Sequence, residues 1–141
     1  MAEPYSVPSS LSKEVEAVAG TYMEVDDPWA FMDGWMAPEL YLDQLQMHAN
    51  WWGNATKYVL EHQQWDMAFS WVGTIDHIEH VLYAGIEPKA RVYDPDKADF
   101  CWHMIRETYR QVDENIGRIL DAVDLDNTYV ILISDHGFGN E

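Results

Sequence analysis

Two short stretches of the chain combine aspartate and histidine in patterns that can bind metal ions. The stretch TIDHIEHVLY places Asp76 and His80 four positions apart. Residues four apart on a helix share a face, so a carboxylate oxygen and an imidazole nitrogen could bind one ion together. The stretch VILISDHGFG places Asp135 and His136 side by side. In a loop with glycine neighbours, both of these side chains can turn toward a metal ion.

Each stretch follows a short apolar run that is typical of a buried β-strand. Residues 66–73, DMAFSWVG, and residues 128–134, TYVILIS, have this composition. Between them, Asp94 and Pro95 begin a helical pattern of apolar side chains that continues to Val123. Two parallel strands joined by a helix form a βαβ unit, in which both strands end at the same edge of the sheet. We therefore expect the metal-binding side chains to meet in one crevice at that edge.

The rest of the chain divides into a helix and an irregular segment. From Pro38 to about His62, apolar side chains recur every three or four residues, which predicts a helix. Residues 1–36 contain three of the six prolines and show no sustained period, apart from one short helix predicted at SLSKEVEAVAG. We therefore predict an irregular N-terminal segment, continuing from an upstream part, and a partial folded domain at residues 37–141.

The composition excludes several classes of partner and site. Eight Lys and Arg against 25 Asp and Glu give a net charge of -17, which repels nucleic acid and anionic membranes but attracts divalent cations. We treat this acidity first as an aid to solubility, which a salt-loving host would also favour. The single cysteine, Cys101, excludes an intramolecular disulfide and fits a reducing compartment. With no signal peptide or long apolar run in the sequence, we expect a cytoplasmic location.

The two motif stretches, in this order and about 55 residues apart, resemble the type I phosphodiesterase/nucleotide pyrophosphatase family of the alkaline phosphatase superfamily. The likeness covers roughly residues 36–140 and includes the helix YRQVDENIGRILDAV. It implies an α/β fold, namely part of a three-layer α/β/α sandwich with a mostly parallel sheet. It also implies a hydrolase of phosphodiesters or nucleotide pyrophosphates with two divalent metal ions, commonly zinc, although manganese and iron accept the same ligands.

The resemblance assigns Asp76 and His80 to one ion, and Asp135 and His136 to the other. The remaining ligands of the family, and its Ser or Thr nucleophile, have no match in this sequence. We therefore expect an internal fragment of a longer enzyme, inactive by itself. Family members often have Arg and Gln where this chain has His77 and Glu79. We interpret His77 as a residue that either contacts the metal ligands or lies on the surface. We interpret Glu79 as a solvated carboxylate, which could also contact the ligands.

Two other functions stay open at this point. A phosphomonoesterase or a cofactor-independent phosphoglycerate mutase of the same superfamily would keep similar ligands. A non-catalytic acidic domain that binds a metal ion or a partner would need no nucleophile. The expected substrate is a small phosphate ester or nucleotide, and the oligomeric state is undetermined.

The tryptophans, the cysteine and three other histidines are predicted to lie in the core or on the surface, outside the metal site. Cys101 is predicted in the core, and His48, His62 and His103 are predicted on the surface. Trp29 and Trp35 are the tryptophans best placed to cover a substrate cleft or contact a partner. The other five are predicted to pack in the core: Trp51, Trp52, Trp65, Trp71 and Trp102.

Overall fold

The computed structural model describes residues 6–22 and 26–139, so parts of the predicted N-terminal segment lie outside it. Within these ranges the chain forms five α-helices and no β-strand, which makes the described fold all-α. In chain order the helices are α1 (Ser9–Ala19), α2 (Pro28–Met32), α3 (Pro38–His62), α4 (Thr74–Ile86) and α5 (Pro95–Leu120). Helix α5 packs against both α3 and α4, and α1 packs against α3.

The helices begin where the sequence provides a suitable first turn. Pro38 and Pro95 each occupy the start of a helix, where the missing N–H is not needed. The Asp94 side chain accepts a hydrogen bond from the Asp96 N–H at 3.1 Å. The helices predicted from Pro38 to His62 and from Pro95 onward are therefore confirmed, and the short helix predicted near the N-terminus is present as α1.

The core lies where α3, α4 and α5 meet. Helix α2 adds Phe31, whose ring stacks on Tyr41 with centroids 4.7 Å apart. Fully burying each large apolar side chain stabilises the fold by about 1.5–3 kcal/mol. Cys101 is part of this core, as predicted. The main cluster consists of Tyr41, Leu45, Ile78, Leu82, Cys101, Met104 and Ile105.

Close approach of α3 and α5 depends on a glycine. A Cβ atom at Gly53 would lie 2.3 Å from the Asn115 Oδ1, so only glycine fits the present spacing. The Asn115 amide donates to the Gln111 carbonyl at 2.9 Å and to the Asn50 Oδ1 at 3.2 Å. Asn115 is fully buried, and these bonds satisfy its polar side chain between the two helices.

The two predicted strands are wrong. Residues 66–72 and 128–134 have no regular secondary structure, and we call them the two apolar segments. A strand needs a neighbour to accept its backbone hydrogen bonds, and the described residues provide none. The predicted α/β sandwich, its parallel sheet and its βαβ unit are therefore replaced by a helical fold. Val72 is partly buried. The other large apolar side chains of the two segments are 52% to 100% exposed: Met67, Phe69, Trp71, Tyr129, Val130, Ile131, Leu132 and Ile133.

The predicted burial of the tryptophans also needs correction. Of the five predicted in the core, Trp71 and Trp102 are exposed, and Arg106 lies over the Trp102 ring at 5.0 Å. The other three are only partly buried: Trp51, Trp52 and Trp65. Trp29 and Trp35 are exposed as well. No helix in the described part of the chain is both long enough and apolar enough to cross a membrane.

Candidate functional site

The first turn of α4 holds Asp76 and brings it close to His80. Helix α4 begins at Thr74, directly after Gly73, so the Asp76 carboxylate lies at the end of the helix where a negative charge is favoured. The His80 Nε2 lies 3.5 Å from the Asp76 Oδ1, one helical turn away. The prediction that these two residues share a face of a helix is confirmed.

The loop after the second apolar segment returns to this turn and brings His136 with it. The His136 Nε2 lies 3.6 Å from the Asp76 Oδ1. Phe138 secures the loop, because its ring packs edge-on against His80 at 4.8 Å and beside Tyr83 at 5.4 Å. The structure therefore brings Asp76, His80 and His136 together.

Asp135 joins this group only through its neighbour. Its Oδ2 lies 3.9 Å from the His136 Nε2, and its Oδ1 accepts a hydrogen bond from the His136 N–H at 3.2 Å. The His136 Nδ1 faces the Gly137 carbonyl at 3.1 Å. That hydrogen bond, together with the Asp135 charge, raises the pKa of His136. Because the Gly137 carbonyl occupies the Nδ1 atom, the other ring nitrogen of His136, Nε2, is the one directed toward Asp76.

The Asp76 Oδ1 is the chemically unusual atom of the site. It is buried, yet it accepts no hydrogen bond from the described residues. Two ligands of one tetrahedral zinc ion, each about 2.0–2.1 Å from the metal, lie about 3.4 Å from one another. The separations of 3.5 and 3.6 Å from His80 and His136 are close to this value. Taken pair by pair, each imidazole nitrogen is therefore spaced from the Asp76 Oδ1 as two ligands of one divalent ion are.

The arrangement is not a complete metal site. Across residues 6–22 and 26–139, no group of three or more His, Cys, Asp or Glu side chains is arranged to hold a metal ion. The four predicted ligands thus form a partial and open cluster, in which the side chains of His80 and Asp135 are 68% and 69% exposed.

The two neighbours of the predicted ligands, His77 and Glu79, bond to other parts of the chain. The His77 Nδ1 lies 2.5 Å from the Asp26 Oδ1, so the partly buried His77 is bonded to the segment that precedes α2. The Glu79 Oε1 accepts a hydrogen bond from the Tyr109 hydroxyl at 2.9 Å. Glu79 therefore connects α4 to α5.

A buried polar cluster that was not predicted from the sequence lies beside this site. Asp26 is only 5% exposed and accepts a hydrogen bond from the Tyr41 hydroxyl at 2.6 Å. The prediction that His48 is exposed is wrong, because it is only 7% exposed. The His48 ring stacks on His77 at 5.8 Å, and its Nδ1 lies 3.4 Å from the Thr74 Oγ1. We call these five residues the Asp26 cluster.

A signal for His48 was present in the sequence. It lies three residues after Leu45 and seven after Tyr41, on the face of α3 that fills the core. Asp26 gave no such signal, because it precedes α2 in a stretch without periodicity and meets His77, 51 positions later, only in the folded chain.

The hydrogen bonds of this cluster determine which groups carry charge. Burial alone would raise the pKa of Asp26, but hydrogen bonds from His77 and Tyr41 outweigh it and lower that pKa. The hydrogen bond to Asp26 raises the pKa of His77 against the effect of burial. Burial, then the neighbouring His77, lowers the pKa of His48. The cluster thus favours an ionised Asp26 beside a protonated His77, with His48 neutral.

The sequence as a whole matches one protein family. A sequence model of the family described as type I phosphodiesterase / nucleotide pyrophosphatase matches residues 10–141. The chain belongs to this family. The resemblance drawn from its two motif stretches is therefore confirmed. Membership in the type I phosphodiesterase family indicates a hydrolase of the phosphodiesterase or pyrophosphatase type within the alkaline phosphatase superfamily. No curated protein and no solved structure matches this family member.

Proposed function

We propose that Asp76, His80, Asp135 and His136 bind divalent metal ions in the active site of a hydrolase that cleaves phosphodiesters or nucleotide pyrophosphates. The observation that carries this proposal is the buried Asp76 Oδ1, which lacks a hydrogen bond and faces the Nε2 atoms of His80 and His136. Leaving a buried carboxylate oxygen without a hydrogen bond is costly, and a bound cation would offset that cost.

The charge of the protein supports the same proposal. With a net charge of -17, the chain repels phosphate esters, which are themselves anionic. Metal ions, when bound, would neutralise charge on the phosphoryl group and lower the pKa of an attacking hydroxyl. Asp76 with His80 would hold one ion, and Asp135 with His136 would hold the other. Phe138 would keep both histidine rings in place, because it contacts His80 on α4 and His136 in its own loop.

Thr74 is excluded as the attacking hydroxyl. It lies two positions before Asp76, but it is fully buried and its Oγ1 lies beside His48. A substrate cannot reach it without unfolding the start of α4. We propose that the nucleophile is a Ser or Thr that this chain does not contribute, because the nucleophile of the family pattern has no match in this sequence.

Calorimetric titration with Zn²⁺ and Mn²⁺ tests the proposed ligands. The wild-type chain should bind zinc. Removing a group that only hydrogen-bonds to a ligand already weakens metal binding about 10- to 100-fold, so Asp76→Asn and His80→Gln, which remove proposed ligands, should weaken it at least as much. His103→Gln is the matched control, because His103 is an exposed histidine on α5. Equal zinc affinity in the wild type, Asp76→Asn and His103→Gln would show that the proposed site does not exist.

Activity requires a separate test on the full gene product, including any flanking polypeptide. With zinc or manganese present, it should hydrolyse bis(4-nitrophenyl) phosphate faster than 4-nitrophenyl phosphate, because the first is a diester and the second a monoester. Asp76→Asn should abolish both reactions. Faster hydrolysis of the monoester would instead favour the phosphomonoesterase alternative.

A further inference from the structure

The Asp26 cluster connects three parts of the chain at one point. Asp26 precedes α2, Tyr41 lies on α3, and His77 lies in the first turn of α4. The two oxygens of the Asp26 carboxylate bond to the other two residues, one at 2.6 Å to Tyr41 and one at 2.5 Å to His77. One buried carboxylate therefore ties the start of α4 to the segment before α2 and to the core of α3.

A second connection holds the same turn. The Thr74 hydroxyl lies 3.4 Å from the His48 Nδ1, and the His48 ring stacks on His77 at an angle of 14°. The first turn of α4 is thus held at two of its residues, on either side of Asp76. Buried ionisable groups add less stability than well-packed apolar side chains of the same size, so an orienting role is a reasonable account of such a cluster.

The position of Asp76 makes this orientation consequential. Asp76 and His77 are consecutive on a helix, so their side chains leave the axis about 100° apart. When Asp26 fixes His77, it also fixes the rotation of the turn and the direction in which Asp76 projects. The Asp76 Oδ1 has no hydrogen bond of its own within the described residues to set that direction.

We propose that Asp26 and His77 are positioning residues, which hold the first turn of α4 so that the Asp76 carboxylate faces His80 and His136. This inference rests on the proposed function, because it assigns the cluster to the metal ligands. Asp26 acts through His77 and the helix backbone, and it does not touch the metal ion itself.

Zinc affinity, measured with the stability of each variant, tests this role. Asp26→Asn should weaken zinc binding about 10-fold, the lower end of the loss that follows removal of a group bonded directly to a ligand, because Asp26 acts one residue further away through His77. Asp99→Asn is the matched control, since Asp99 is an exposed aspartate on α5 and should leave affinity unchanged. Tyr41→Phe removes the other hydrogen bond to Asp26 and keeps the bond to His77, so it should lower the melting temperature with at most a small change in affinity.

His77→Phe provides a second approach if Asp26→Asn does not fold. It retains a ring that can stack on His48 but removes the nitrogen that bonds to Asp26, and it should weaken zinc binding to a similar extent. Folding of each variant is checked by circular dichroism, and titrations are made well below its melting temperature. The proposal is overturned if, in both Asp26→Asn and Tyr41→Phe, the loss of zinc affinity is proportional to the loss of stability. The cluster would then have a purely structural role.

Zinc binding by these variants distinguishes failure of the positioning role from failure of the proposed function. If wild type binds zinc, Asp76→Asn does not, and both Asp26→Asn and His77→Phe bind like wild type, the positioning role is refuted and the metal site stands. If wild type and Asp76→Asn have the same affinity, or if neither binds zinc, both proposals fail.

Discussion

Substituting Gly53 with alanine tests the closest helix contact in the fold. Glycine is normally a poor helix residue, so replacing it with alanine at an unconstrained position stabilises a helix by about 1 kcal/mol. At this position we expect the opposite sign. The new Cβ would lie 2.3 Å from the Asn115 Oδ1 and 2.9 Å from the Asn115 Cβ, which is nearer than atoms can approach. Asn115 is fully buried and has no open space to move into.

The size of the effect follows from what Asn115 would lose. Overpacking a buried site costs about 1–3 kcal/mol. Moving Asn115 also weakens its amide hydrogen bonds to Asn50 and Gln111 and the bond that its Oδ1 accepts from Arg118 at 3.2 Å. Losing the equivalent of two such bonds costs about 2 kcal/mol. After subtracting the propensity gain of about 1 kcal/mol, we expect a net destabilisation of about 2–4 kcal/mol.

Gly117 provides the matched control for this substitution. It also lies inside a helix, but a Cβ there would meet nothing within 4 Å. Gly117→Ala should therefore stabilise the chain by about 0.5–1 kcal/mol. Both variants are compared with wild type by urea denaturation followed by circular dichroism at one salt concentration. If Gly53→Ala raised stability as much as Gly117→Ala does, α3 and α5 could not approach each other as closely as described.

Three further predictions concern the core and the buried charges. Tyr41→Phe should reduce the free energy of unfolding by about 1.5–3 kcal/mol, because it removes a hydrogen bond to a buried carboxylate; an unchanged urea midpoint would argue against that bond. The contribution of ionised Asp26 to stability is full above its ordinary pKa of 3.8 and is lost as the pH falls through its lower folded-state pKa. Urea titrations from pH 6 to pH 2 should therefore show the stability gap between wild type and Asp26→Asn shrinking below 3.8, and a constant gap would contradict this assignment. Gly85→Ala would place a Cβ 2.5 Å from the Cys101 Sγ and should destabilise the fold by about 1–3 kcal/mol. Adding Cys101→Ala should recover part of this loss. If the effects of the two substitutions on the free energy of unfolding were strictly additive, the two residues would not be in contact.

The helices could be predicted because their signals are local. Pro38 marks the first turn of α3, and Asp94 with Pro95 marks that of α5, so both starts follow from neighbouring residues. The two apolar segments failed as strands because a strand is defined by its partners. A run such as TYVILIS shows that its side chains avoid water, but it does not show what lies beside its backbone.

The candidate site was predictable to the same extent. Asp76 and His80 were paired by helical spacing alone. The approach of His136 to the same turn was predicted from two parallel strands ending at one sheet edge, and it occurs although the described residues form no sheet. The bond between Asp26 and His77 could not be predicted, because it joins residues 51 positions apart and one of them lies outside any periodic element. Local spacing therefore identified one pair of the proposed ligands, while the residues proposed to orient them emerged only from the folded chain.

Exposure of the two apolar segments has a calorimetric consequence. The chain has an accessible surface of 10225 Å², whereas a compact protein of 16.4 kDa has about 7,500 Å². Side chains that are already hydrated in the folded state add nothing to the heat capacity change of unfolding, which depends on newly exposed apolar surface. For 141 residues that change is ordinarily about 1.7–2.1 kcal/mol/K, and we expect a lower value here. The free energy of unfolding should therefore vary less with temperature than in a compact domain of equal length.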